Sequence, residues 1–169
     1  MTILSIITVP DPLLKTVSTA VDAVDDDLRA FMDDMLDTMY AAPGIGLAAI
    51  QVGKPIRVLV MDLSEDPEAP EPKYYVNPVI TWTSEHIAVY NEGCLSVPEQ
   101  YADIDRPAEC KLSYLDYHGK EQKIHATGLL STCIQHEIDH LNGIVFIDYL
   151  SGLKRDIAVR KVRKLARED

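Results

Sequence analysis

Disulfides have little to work with in this chain, whose 169 residues hold three cysteines, Cys94, Cys110 and Cys133. An odd number at these spacings excludes a disulfide framework. Each thiol is left to be a small buried hydrophobe, a metal ligand or a nucleophile. Long apolar runs are missing too: none approaches the ~18 residues that a membrane span needs. The opening Met1-Thr2-Ile3-Leu4-Ser5 has no basic n-region and no small-residue cleavage site, so the expectation is a cytosolic protein with no membrane partner. Basic residues are outnumbered 16 to 27, a net charge of −11, which excludes DNA binding over the whole surface. The shortage is uneven. Residues 154–169 carry seven Lys/Arg against three acidic residues, a net of +4, so the other 153 sum to −15. Internal repeats and domain-splitting linkers are absent, and residues 1–169 suit one domain burying roughly 70% of its unfolded surface.

What is present reads first as a helix. Leu28, Phe31, Met32, Met35, Leu36 and Met39 share one face of a 3.6-residue period from Asp25 to Tyr40. Asp25 to Asp27 supply an N-cap and favourable charge at its start, and Pro43-Gly44 ends it. Residues 3–9 suit a short strand or an extended arm. The middle of the chain is β in character: Arg57 to Met61, Tyr74 to Asn77, Val79 to Trp82 and His86 to Tyr90. Cys110 to Asp116 and Gln122 to Ala126 flank His118-Gly119 as a hairpin, and Ser64 to Pro72 is an acidic, proline-rich loop. Helical periodicity returns over Gly128 to Leu141, closed by Asn142-Gly143, and a basic helix begins near Gly152. A helix, several strands, then helices predict an α+β fold.

The sharpest motif is His136-Glu137-Ile138-Asp139-His140. Residues four apart on a helix lie one above the other, so both imidazoles face one ion, and Glu137 can reach a water on that ion without being a ligand. The alternative is a helix with two partly buried histidines. Asp139 falls off the ligand face, where it would orient a histidine or cap locally. A catalytic zinc-type site needs three protein ligands and an open position, yet no His or Cys follows His140. Upstream, Cys94 stands between Gly93 and Ser96 in Glu92-Gly93-Cys94-Leu95-Ser96, directly after a strand, which suits an exposed thiolate better than a core filler. A third segment, Gly44-Ile45-Gly46-Leu47-Ala48-Ala49-Ile50-Gln51, satisfies a dinucleotide fingerprint by spacing but follows a helix instead of a strand. It reads better as backbone that glycines let approach a ligand, with Gln51 as a side-chain donor. A zinc endopeptidase and a structural metal site in a binding module compete with this hydrolase reading. The first lacks its usual downstream ligand and the second its usual fourth ligand.

In order and spacing, GIGLAAIQ, EGCLS and HEIDH resemble the peptide deformylases, over nearly the whole chain. The resemblance implies mixed and antiparallel β-sheets wrapped around a central HExxH-bearing helix, with an N-terminal helix and a basic C-terminal helix over residues 152–169. It implies a hydrolase that removes the formyl group from N-terminal formyl-methionine of nascent chains. One divalent ion would sit on Cys94, His136 and His140, Fe²⁺ foremost and Zn²⁺, Ni²⁺ or Co²⁺ as alternatives. Glu137 would be the acid/base, with the Gln51 side chain and the Leu95 N–H as oxyanion donors. Ile45, Gly46, Gly93, Leu129 and Cys133 would hold the N-formyl-methionyl peptide, and Glu92 with Arg106 would support the ligands. The C-terminal helix would contact the ribosome, or else pack Ile157, Val162 and Leu165 on the body. Two departures from the family pattern bear on the side-chain pocket: Tyr101 stands where some relatives place arginine, and Thr132 where an apolar residue is common.

Overall fold

The computed structural model describes residues 2–168. Helix α1 (Asp26–Ala41) begins as its sequence predicts, with the Asp25 carboxylate accepting from the Leu28 N–H at 2.8 Å. Strands β1 (Gly46–Ala48) and β2 (Val58–Met61) follow, then β3 (Lys73–Thr83), β4 (Ile87–Cys94), β5 (Val97–Pro107), β6 (Glu109–Leu115) and β7 (Glu121–Thr127). Helix α2 (Gly128–Leu141) and helix α3 (Gly152–Glu168) complete the chain. One antiparallel sheet has the order β1-β2-β3-β6-β7, and β4 pairs with β5 in a separate long hairpin.

Strand alternation explains how the layers stack. Val58 and Val60 of β2 join a core with Met32, Met35 and Met39 of α1. Leu59 and Met61 point the other way, into a core with Ile134, Ile138 and Leu141 of α2. Both faces of β2 are therefore buried, and the sheet lies between α1 and α2. A third core joins Val97 and Ile104 of β5 to Phe146, Ala158 and Val162. Helix α2 thus runs between the large sheet and the β4–β5 hairpin, and its His136, Glu137 and His140 are all buried.

The N-terminal arm is extended, tied by Ile7 N–H to Gln51 O and Val9 N–H to Ser96 O. Two strand expectations need revision. Tyr74–Asn77 and Val79–Trp82 are one strand, β3, with its register shifted between Val76 and Val79. Asn77 sits at φ 50 there, and its side-chain amide bonds both the N–H and the C=O of Val21. Such an inserted residue bends a strand without ending it. Strand β5 was not foreseen. Its polar run hides a face on which Ile104 and Arg106 are buried.

Candidate active site

The end of β4, the turn after it and one face of α2 converge on a single point. Cys94 Sγ lies 3.3 Å from His140 Nε2. Cys94, His136 and His140 each offer a donor atom, all within 4.8 Å of one another, and no fourth Cys, His, Asp or Glu among the described residues joins the group. His136 Nδ1 is held by Glu92 Oε1 at 2.8 Å, which leaves Nε2 to face the other donors. Burial and the neighbouring His136 hold His140 well below the ordinary imidazole range, in the neutral form that a metal requires. For His136, burial acts in the same downward sense but is outweighed by its bonds to Cys94 and Glu92. One thiolate and two imidazoles suit Zn²⁺, Fe²⁺, Co²⁺ or Ni²⁺, so the donor set fits a divalent ion with a position left open.

Glu92 is itself held. Arg106 grips it through Nε at 2.7 Å and Nη2 at 3.0 Å, and both side chains are buried. The Arg106 Nη1 reaches Asp139 Oδ2 at 2.8 Å, which also accepts from the Tyr149 hydroxyl at 2.6 Å. Among the described residues, the Asp139 side chain therefore bonds neither a histidine nor a helix-end N–H. It acts on His136 only through Arg106 and Glu92, a link invisible in sequence because Tyr149 and Arg106 come from other elements.

Glu137 is buried, its Oε2 has no hydrogen-bond partner among the described residues and its Oε1 lies 3.7 Å from His136 Nε2. Burial pushes its carboxyl up to about 7. The backbone comes close to it because Gly46 lacks a side chain: a methyl there would sit 3.0 Å from Glu137 Oε1. Gln51 is oriented by the Ala48 N–H, which donates to Gln51 Oε1 at 2.9 Å. Its Nε2 consequently points at Ser96 Oγ, 3.0 Å away, and Cys94 Sγ, 3.5 Å away. Ser96 is a buried partner that the motif reading missed, since a serine two residues after Cys94 carries no signal of its own.

A cavity of about 760 Å³ opens beside these groups. It is lined by Cys94, Leu95, His136 and Glu137, and by Ile45, Gly46, Gly93, Leu129 and Cys133 from the predicted substrate set. Gln51, His140 and Arg106 stand behind that wall, all of them almost fully buried. Both departures border the cavity, Tyr101 at its rim and Thr132 in its wall. Burial pushes the Cys133 thiol up to about 12, so it stays protonated and apolar in character. Cys110 is a buried core residue.

Comparison with known proteins agrees with this architecture. Residues 3–156 match the family model described as polypeptide deformylase. The chain is 59% identical to the peptide deformylase of Phenylobacterium zucineum (strain HLK1) over 167 residues, 99% of each chain. It is 57% identical to that of Pelagibacter ubique (strain HTCC1062), covering 98% of this chain and 96% of the relative. The crystal structure of peptide deformylase from Ehrlichia chaffeensis superposes with a TM-score of 0.95 at 46% identity, covering 99% of both chains. With its α+β fold, its Cys-His-His cluster and a family match over nearly its whole length, the chain belongs to the polypeptide deformylases, metal-dependent hydrolases that remove the formyl group from the N-termini of nascent peptides.

Proposed function

We propose that the residues around this cavity divide the deformylation of N-formyl-methionyl peptides as follows, within one catalytic domain spanning residues 1–169. Cys94 Sγ, His136 Nε2 and His140 Nε2 would hold a divalent ion, Fe²⁺ in the cell, which would supply Lewis acidity to the formyl oxygen and lower the pKa of a water toward neutrality. Glu137 takes the proton of that water and returns it to the leaving amine. A carboxyl that burial has raised to about 7 is matched to both halves of that task. The Gln51 Nε2 and the Leu95 N–H stabilise the oxyanion, and one such donor is typically worth about 3 kcal/mol of barrier. Glu92, fixed by Arg106, sets the tautomer and angle of His136.

The substrate backbone has two free edges to pair with. Strand β1 is the terminal strand of its sheet, and β4 is bonded on one side by β5. Ile45-Gly46 and Gly93 bring these edges to the cavity. Pairing through backbone reads little sequence, which suits an enzyme that meets many nascent chains in the cytoplasm. Ile45, Leu129 and Cys133 supply apolar contact for an unbranched first side chain.

For helix α3 we propose a second contact, with ribosomal RNA. Arg160, Lys161, Arg163, Lys164 and Arg167 are exposed, while Ala158 and Val162 anchor the helix to the body. Lys161→Glu with Lys164→Glu leaves that anchor intact and should weaken co-sedimentation with ribosomes at low salt. Unchanged co-sedimentation would refute the contact.

The observation that carries the main reading is the buried Glu137 beside a three-donor cluster, open to a cavity between two free strand edges. Its test is formate release from formyl-Met-Ala-Ser by protein purified anaerobically with Fe²⁺, beside Glu137→Ala. Turnover by the parent should fall by on the order of 10²–10⁴ in the variant, which still binds metal. A metal-loaded parent that releases no formate would overturn the reading, and peptidase assays would then test the endopeptidase alternative.

A further inference from the structure

Ser96 lies in the turn between β4 and β5, fully buried, and each of its polar groups is engaged within the protein. Its N–H donates to Cys94 Sγ at 3.4 Å, its hydroxyl oxygen accepts from Gln51 Nε2 at 3.0 Å, and its carbonyl accepts from the Val9 N–H at 2.9 Å. The extended N-terminal arm that supplies Val9 also holds Gln51, whose carbonyl accepts from the Ile7 N–H at 2.7 Å. The arm therefore bonds both members of the Gln51–Ser96 pair and fixes one backbone against the other. A side-chain amide turns about its last carbon–carbon bond unless both its oxygen and its nitrogen are held. Here the Ala48 N–H holds Gln51 Oε1 at 2.9 Å, and Ser96 Oγ holds Nε2. One N–H of the amide is thus committed to Ser96, while the other faces Cys94 Sγ, 3.5 Å away. Sulfur is a weak acceptor, so that second N–H stays available to an oxyanion forming beside the cluster. Gln51 is buried, and a buried donor left unpaired is unfavourable. Without Ser96 Oγ the amide would turn toward the acceptor that remains, the Cys94 sulfur, and away from the oxyanion.

We propose that Ser96 is a positioning residue: its hydroxyl oxygen fixes the plane of the Gln51 amide, so that one N–H is held ready for the oxyanion. The inference rests on the deformylase reading above and on Gln51 as an oxyanion donor. Ser96 itself does not line the cavity, so it acts on the reaction through Gln51 and leaves substrate binding alone. Deleting such a donor outright typically lowers kcat by about 10²–10³. Loosening one that is still present should lower it less, by about tenfold.

The experiment compares formate release from formyl-Met-Ala-Ser by the metal-loaded parent, Ser96→Ala, Gln51→Ala and the double variant. Ser96→Ala keeps the backbone N–H that bonds the Cys94 sulfur, so metal retention against a chelator should match the parent's. Its kcat should fall about tenfold with KM nearly unchanged. In the Gln51→Ala background the same change should alter kcat by less than about twofold, because the group that Ser96 holds is already gone. On Zn²⁺-loaded protein, the Gln51 side-chain amide signals in ¹⁵N NMR, assigned by their loss in Gln51→Ala, should shift in Ser96→Ala. A Ser96→Ala variant with the parent's kcat would overturn the inference. So would a loss of equal size in both backgrounds, which would mean that Ser96 supports the fold and not the amide. Either result leaves the deformylase reading intact. Gln51→Ala as fast as the parent would remove the donor assignment and this inference with it. A parent that releases no formate would remove the deformylase reading and everything that rests on it.

Discussion

At the scale of single residues, Glu92 shows how far burial changes the meaning of an ion pair. On sequence alone its pairing with Arg106 is equally compatible with a surface bridge, worth about 0–1 kcal/mol. In the folded chain the two side chains are 6% and 5% exposed, and Glu92 also carries His136. Burial opposes its charge, yet the bonds from His136 and Arg106 prevail and hold its carboxylate below the ordinary range. Removing one member of such a buried pair strands the other, at about 3–5 kcal/mol. Arg106→Met should therefore lower Tm by roughly 10 °C, at the ~2–4 °C per kcal/mol of a chain this size. Glu92→Gln keeps the shape but not the charge, and should weaken metal retention by about 10–100-fold, read by competition with a chelator. If metal retention were unchanged, Glu92 would not be what orients His136.

Among the elements, α1 was the most legible, since cap, charge and apolar stripe all lie within seventeen consecutive residues. Asp25→Ala removes the cap from the Leu28 N–H and should cost about 1 kcal/mol, seen as a Tm drop of about 2–4 °C. No change would mean that the bond contributes nothing net. The HExxH helix was legible for the same reason, because one turn of α2 brings His136 and His140 together. Cys94 needed a second argument, the missing downstream ligand, since 46 positions separate it from His140. What stayed hidden depends on contacts between elements: β5 with its polar alternation, the Ser96 partner of Gln51, and the Arg106–Asp139–Tyr149 chain. Strand β1 is short, and its value lies in its approach to Glu137. Gly46→Ala would put a methyl 3.0 Å from Glu137 Oε1, forcing the carboxylate or the strand to shift by a few tenths of an ångström. Turnover should fall by roughly tenfold, less than the ~100-fold that a 1 Å misplacement brings, with Tm nearly unchanged. Unaltered kcat would show that the carboxylate tolerates the shift.

Over the whole molecule, Asp62 ties distant segments together. It follows β2 and accepts from the Ser64 N–H at 2.9 Å, the Ser64 hydroxyl at 2.6 Å, the Glu71 N–H at 3.1 Å and the Tyr40 hydroxyl. Its own N–H donates to Ile45 O. One buried carboxylate thus joins the end of α1, the acidic loop and the segment that leads into β1. Burial opposes its ionisation, but the hydrogen bonds from Ser64, Tyr40 and Glu71 prevail and hold the group below the ordinary carboxylate range. A depressed folded pKa stabilises the fold above the unfolded value, near 3.9, and that stability is lost as pH falls through the folded value. Asp62→Asn removes the charge at every pH, so its penalty must follow the same curve. Against the parent, its Tm should be about 5–10 °C lower at pH 7, from about 2–3 kcal/mol of charge-assisted bonding. The gap should begin to narrow near pH 4 and shrink further below it, where the parent's Asp62 is itself being protonated. Thermal melts of both proteins from pH 7 to pH 3 decide the matter. A gap that keeps its full size at pH 3 would mean that the asparagine side chain is misfitted and that charge at Asp62 contributes nothing. A gap absent at pH 7 would mean that the acidic loop and the end of α1 hold to the body without it.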